Sequence, residues 1–231
     1  MDQDTIEPAE QNVSFPRGAG TAYGYLELPA GGSGPGLIVI QEWWGLTTHI
    51  AELTKRFAAD GFVALAPDLY GGRTTHDGAT AMQMMQELPV DTAVQQLSGA
   101  VDFLLQHEAV TSSVVGVVGF CMGGAFALRL AAGEGDRIGA AVPFYGIPEP
   151  TTDWSGVTAA IQGHYATIDR ITPEAVQATA AAIREQSGVE ADIRFYEAQH
   201  AFVNDERPSY DAAAATTAWA AAVAFLREHV A

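Results

Sequence analysis

Residues 119–124 read GFCMGG and contain the single cysteine of this 231-residue chain, Cys121. Gly119-Phe120-Cys121-Met122-Gly123 fits the pattern G-x-S-x-G with cysteine in place of serine. A nucleophile on a tight strand-to-helix turn sits in a strained backbone, and small neighbours let strand and helix approach it closely. The turn exposes the side chain at the carboxyl edge of a sheet and aims the first helical N–H groups at a substrate carbonyl oxygen. Here the apolar VVGVV precedes as a strand and AFALRL follows as a helix. A free cysteine is more often a small buried hydrophobe. Glycines at 119, 123 and 124 argue for the turn instead.

Such a thiol needs a histidine to handle protons and an acid to orient that histidine, each in a loop after a later strand. Asp169 follows the strand-like TAAIQGH and precedes a helix start at Pro173, and His200 comes just past ADIRFYE. The order Cys121, Asp169, His200 is the one this turn requires. The other histidines fit less well: His49 and His229 fall in helices, His76 in a polar loop, and His107 at a helix end. His164 closes the TAAIQGH strand and reads as a packed imidazole more readily than as a site residue. No H-E-x-x-H or comparable ligand spacing occurs, so no metal is expected. No G-x-G-x-x-G follows the first strand, and no cofactor is expected either.

The elements that must position these residues alternate along the chain. TAYGYLEL (21–28), GLIVIQ (36–41) and FVALA (62–66) read as strands, with Ile50, Leu53 and Phe57 on one face of a helix before the third. Helical stretches over 77–88 and 91–107 are parted by Pro89. VVGVVGF, GAAVPFY, TAAIQGH and ADIRFYE are further strands, with helices after Cys121, over 173–187, and at the end, where Trp219, Val223, Leu226 and Val230 form a stripe. Strand–helix alternation of this kind predicts an α/β fold with a mostly parallel central sheet and helices on both faces. No repeat or linker interrupts it, so residues 1–231 read as a single domain.

Net charge is −17, and ten of the eleven basic residues are arginine, with Lys55 the only lysine. Without a basic patch, nucleic-acid and membrane-surface partners are not expected. The acidic surface is a solvated one or an adaptation to salt. No apolar run approaches the roughly 20 residues that span a bilayer. The N-terminal MDQDTIEPAE carries no signal-peptide pattern, which predicts the cytoplasm.

Five segments together resemble the dienelactone hydrolases, a family of small α/β-hydrolase-fold enzymes: QEWWG (41–45), APDLYGG (66–72), GFCMGG (119–124), GHYATID (163–169) and YEAQHAFVND (196–205). The resemblance implies hydrolysis of an ester or enol-lactone through an acyl-cysteine, with Cys121, Asp169 and His200 as triad. It implies that Glu42 hydrogen-bonds the resting thiol and takes its proton when substrate binds. A free thiol has a pKa near ~8.5 and needs such help at neutral pH. Backbone N–H groups of Met122 and Trp43 would hold the oxyanion. The family's type enzymes clamp a substrate carboxylate with two arginines. Arg73, after PDLYGG, fills the first role, but four residues past His200 stands Asn204, with Arg207 three further on. A lost guanidinium removes a contact worth about 1.5–3 kcal/mol, so neutral esters should fare better than anionic lactones. Trp43, Trp44, Tyr145 and Phe202 form either an aromatic pocket or part of the core. The expected partner is a small ester or lactone, handled by a monomer or small homo-oligomer. The alternatives are a broad esterase or thioesterase of the same fold, a non-catalytic redox-sensing thiol protein, and a non-catalytic binding protein on the same scaffold.

Overall fold

The computed structural model describes residues 8–230. Residues 1–7 of the acidic N-terminal segment lie outside them. The chain divides into two compact units, one ending at Ser112 and the other beginning at Ser113. The division falls inside a continuous strand, so no linker composition announces it.

The first unit carries β1 (Val13–Arg17), β2 (Gly20–Glu27), β3 (Gly34–Ile40) and β4 (Val63–Pro67), in the order β1-β2-β4-β3. β1, β2 and β4 pair antiparallel, and β3 pairs parallel with β4. α1 (Thr48–Ala59) connects β3 to β4, and α2 (Gly78–Glu87) and α3 (Val90–Gln106) follow. β1 was not expected from the sequence; Pro16 and its short length mark it as an edge strand. β3 and β4 are apolar and buried on both sides, as a covered parallel pair requires. Asp77 caps α2 through the Thr80 N–H at 2.8 Å, and Pro89 separates α2 from α3 as the sequence predicts.

The second unit pairs β5 (Val110–Phe120), β6 (Ile138–Phe144), β7 (Ala160–Ile168) and β8 (Ala191–Gln199) in parallel, in chain order. α4 (Met122–Glu134) leaves β5 directly, α5 (Pro173–Ser187) joins β7 to β8, and α6 (Ala212–Val230) closes the unit. α4 and α6 both pack on β6, a strand buried along nearly its whole length, so it is covered from both sides. Thr172 caps α5, Pro173 begins it, and Gly188 ends it in the left-handed conformation. β7 runs to Ile168, well past the TAAIQGH predicted for it. His164 is therefore in the middle of a strand and fully buried, a correction to its expected place at a strand end.

The approach of α6 to β6 depends on Gly139. A Cβ there would run into the His229 carbonyl and lie 2.8 Å from Val114 Cγ2. Gly139→Ala should therefore lose about 1–3 kcal/mol of stability. Urea unfolding checks this through a lower midpoint at unchanged slope, and a wild-type midpoint would contradict so tight a contact.

Candidate active site

Cys121 stands between the last residue of β5 and the first of α4, with φ 54° and ψ −116°. A non-glycine residue held there costs on the order of 1–3 kcal/mol and persists only where its surroundings fix it. The surroundings here are backbone. The Cys121 N–H donates to the Phe144 carbonyl at 3.0 Å, and the Cys121 carbonyl accepts from Gly124 at 2.9 Å. A Cβ on Gly119 would strike the Gly123 carbonyl, and one on Gly146 would strike that of Cys121. The thiol is half-buried, which separates it from a sealed core cysteine.

Asp169 directly follows β7, and His200 directly follows β8. Asp169 Oδ2 lies 2.6 Å from His200 Nδ1, while its Oδ1 accepts the Ile171 N–H at 3.2 Å. The carboxylate is 2 % exposed and the imidazole 27 %. Burial pulls the His200 pKa down, but the hydrogen bond to Asp169 and the neighbouring Cys121 outweigh it and raise the ring to about 10. Nε2 is buried and makes no hydrogen bond of full geometry, so the Cys121 sulfur faces it as an electrostatic neighbour. The second unit thus places a thiol, an imidazole and a carboxylate at the ends of β5, β8 and β7.

Tyr145 and Phe202 are buried, at 1 % and 0 % exposure. Their rings lie 5.5 Å apart, and Tyr145 meets the His200 ring edge-on at 5.1 Å. They form the floor under the imidazole. Their backbone is strained: Tyr145 itself has φ 39°, and Ala201, just before Phe202, has φ 62°. No sequence pattern signalled either. Asn204 is also buried, and its side-chain oxygen accepts the Glu206 N–H at 3.0 Å. Its carboxamide thus shapes the loop that carries the half-buried Arg207.

In the first unit, Glu42 is 2 % exposed just past β3, and the half-buried Trp43 and Trp44 meet edge-on at 4.9 Å. The preceding Gln41 accepts the Leu69 N–H at 3.3 Å. Asp68 gathers the next loop, accepting from Tyr70 at 2.9 Å, from Gly72 at 2.5 Å and from the Gln11 side chain. Arg73 leaves that loop half-exposed and pairs with Glu87 of α2 at 2.9 Å. It lines a cavity of about 440 Å³ with Thr80, Gln83, Met84 and Glu87. A substrate carboxylate at Arg73 would compete with Glu87. Among the described residues, no His, Cys, Asp and Glu cluster is arranged to hold a metal, and no helix is long and apolar enough to cross a membrane.

The model of the dienelactone hydrolase family matches residues 22–230. The chain belongs to that family. It is 36% identical over 229 residues to protein usf of Aquifex pyrophilus, covering 95% of this chain and 99% of that one. It is 30% identical over 223 residues to a carboxymethylenebutenolidase of Pseudomonas, covering 91% of this chain and 92% of that one. The structure resembles a dienelactone hydrolase-like promiscuous phosphotriesterase from metagenomic libraries, with a TM-score of 0.83 and 26% identity over 98% of this chain and 100% of that one. An esterase from Pyrococcus furiosus, at 16% identity and a TM-score of 0.69 over 96% of this chain and 94% of that one, shares the fold. The α/β-hydrolase fold expected from the sequence is the fold of this chain.

The raised pKa of His200 has a consequence for stability. Its folded-state value of about 10 lies above the ordinary 6.5, so the charged ring favours the folded state. That contribution is complete below about pH 6.5 and is lost as pH rises through about 10. Urea titrations of wild type and His200→Gln should show a stability difference that shrinks steadily across this window. A difference independent of pH would contradict the electrostatic pairing.

Proposed function

We propose that this member of the dienelactone hydrolase family cleaves carboxylic esters or enol-lactones through an acyl-enzyme on Cys121. The observation that carries the reading is the strained, glycine-packed turn at Cys121 facing an imidazole held 2.6 Å from a buried carboxylate. The family match spans both compact units, which supports taking residues 1–231 as one catalytic domain.

In this mechanism the Cys121 thiolate attacks the acyl carbon, and Met122 and Trp43 N–H groups stabilise the oxyanion. Glu42 is the acceptor of the resting thiol's proton. His200 protonates the leaving oxygen and then acts on water. The electrostatics of the site suit that alternation. With a thiolate beside it, the ring is held as a cation, its burial outweighed by Asp169 and Cys121 together. Once the sulfur is acylated that charge is gone, and only Asp169 opposes burial. The imidazole then gives up its proton more easily and is available as a base toward water. Asp169 fixes the ring so that Nε2 faces the reaction. Arg73 and Arg207 are the candidate contacts for a substrate carboxylate, and the buried Asn204 shapes the loop that carries Arg207.

Hydrolysis of p-nitrophenyl acetate and of an enol-lactone tests this reading. Cys121→Ala should abolish turnover of both and remain folded, because a half-buried thiol contributes little packing. His200→Ala should lose about 10²–10⁴-fold in kcat. Glu42→Gln should keep its fold and lose most of the acylation rate. Wild-type rates in Cys121→Ala would remove the assignment.

A further inference from the structure

Gln162 and His164 are two apart on β7, and Asp192, Arg194 and Tyr196 are two apart on β8, so each set leaves one face of its strand. Hydrogen bonds join these side chains across the two strands. Gln162 Nε2 donates to Asp192 Oδ2 at 2.8 Å. That settles the orientation of the amide, so its Oε1, 3.1 Å from His164 Nε2, accepts. His164 is therefore the Nε2–H tautomer, and its bare Nδ1 accepts the Tyr196 hydroxyl at 2.9 Å. Arg194 anchors the far end, with Nε and Nη2 at 3.0 and 2.8 Å from the same Asp192 oxygen. His164 and Gln162 are 0 % and 2 % exposed, so the middle of this chain is sealed from water. Burial, with a smaller contribution from Arg194, lowers the His164 pKa to about 3 and leaves the ring neutral.

The position of this chain gives it a use. β7 and β8 pair in step as far as Ala166↔Tyr196, and then the register shifts so that Ile168 faces Gln199. β8 takes up one additional residue there, immediately before the loops that carry Asp169 and His200. Irregularities of this kind re-aim the residues that follow them. β8 is also the last strand of its run, paired only with β7. A slip of one residue would move His200 by about 3.3 Å. That exceeds the whole 2.6 Å length of its contact with Asp169.

We propose that Tyr196 and His164 are positioning residues for His200: the hydrogen bond between the half-buried Tyr196 hydroxyl and the buried His164 ring pins β8 to β7 just before the irregularity and holds the imidazole on Asp169. The same two rings continue into the floor of the site. His164 stacks on Phe144 at 4.6 Å, and Tyr196 packs on Phe202 at 5.1 Å, next to the Tyr145 ring that His200 touches. The inference deepens the reading of His200 given above and rests on it.

Tyr196→Phe is the sharpest test, because it keeps the ring packing and removes only the hydroxyl. With p-nitrophenyl acetate, kcat should fall about tenfold, the equivalent of about 1.4 kcal/mol, while KM stays near wild type. The downfield proton resonance of the His200 Nδ1–H, bonded to Asp169, should broaden or shift. His164→Phe breaks the same bond and also frees Gln162, so its kcat loss should be at least as large, and the double variant should be no worse than His164→Phe alone. If His164→Phe does not fold, Tyr196→Phe decides alone. A Tyr196→Phe protein with wild-type kcat and an unaltered His200 resonance would overturn the proposal, and so would a loss confined to KM. A wild type without hydrolytic activity would remove the functional reading instead, and the resonance would still test the positioning.

Discussion

Everything in the second unit depends on forcing Cys121 to a positive φ between a buried strand and a buried helix. That geometry lifts the sulfur out at the end of β5 and starts α4 one residue later, at Met122. It is tolerated because nothing nearby has room to relax. Gly119 and Gly146 let backbone pass where any Cβ would collide, and the Phe144 carbonyl holds the Cys121 N–H. Tyr145 and Ala201 carry the same kind of strain, and all three positions follow parallel strands. Each such residue costs on the order of 1–3 kcal/mol. The offset comes from the apolar strands themselves, where Val117, Val118, Phe120, Val142 and Phe144 are fully buried.

The unit also holds two imidazoles driven in opposite directions. His200 keeps partial access to water and has a carboxylate and a sulfur beside it, and it is raised to about 10. His164 has no access to water and neutral hydrogen-bond partners, and it is lowered to about 3. The contrast separates their work. In the proposed mechanism one ring exchanges protons, while the other is a neutral link in a directional chain of hydrogen bonds. A charge on His164 would put a second cation into the aromatic cluster under His200 and leave the Tyr196 hydroxyl facing a donor.

Much of this was legible in the chain itself because its signals are local. G-F-C-M-G states its own turn, Pro89 and Pro173 state helix limits, and the apolar runs state which strands are covered. Asp169 and His200 were found by their order after later strands, and the structure brings them to 2.6 Å. What was not legible depends on distant partners or on backbone detail. His164 looked like a strand end because the Tyr165–Ile168 continuation has no clear alternation, although β7 extends through it. Asn204 was read from its place four residues past His200, and nothing in the sequence showed that its side chain is buried and accepts the Glu206 N–H. Arg73 looked available, but Glu87, from a helix 14 residues on, holds it. The extra residue in β8 leaves no trace in composition, and the break between units falls within one strand.

The most direct measurement is acid-quench mass spectrometry on the wild-type protein during turnover of p-nitrophenyl acetate, with the peptides mapped. One acetyl group is expected, on the peptide containing Cys121, appearing within the first turnover and accumulating further in His200→Ala. Steady turnover with no acyl group on Cys121 in either protein, or with the acyl group on another residue, would contradict the acyl-cysteine mechanism.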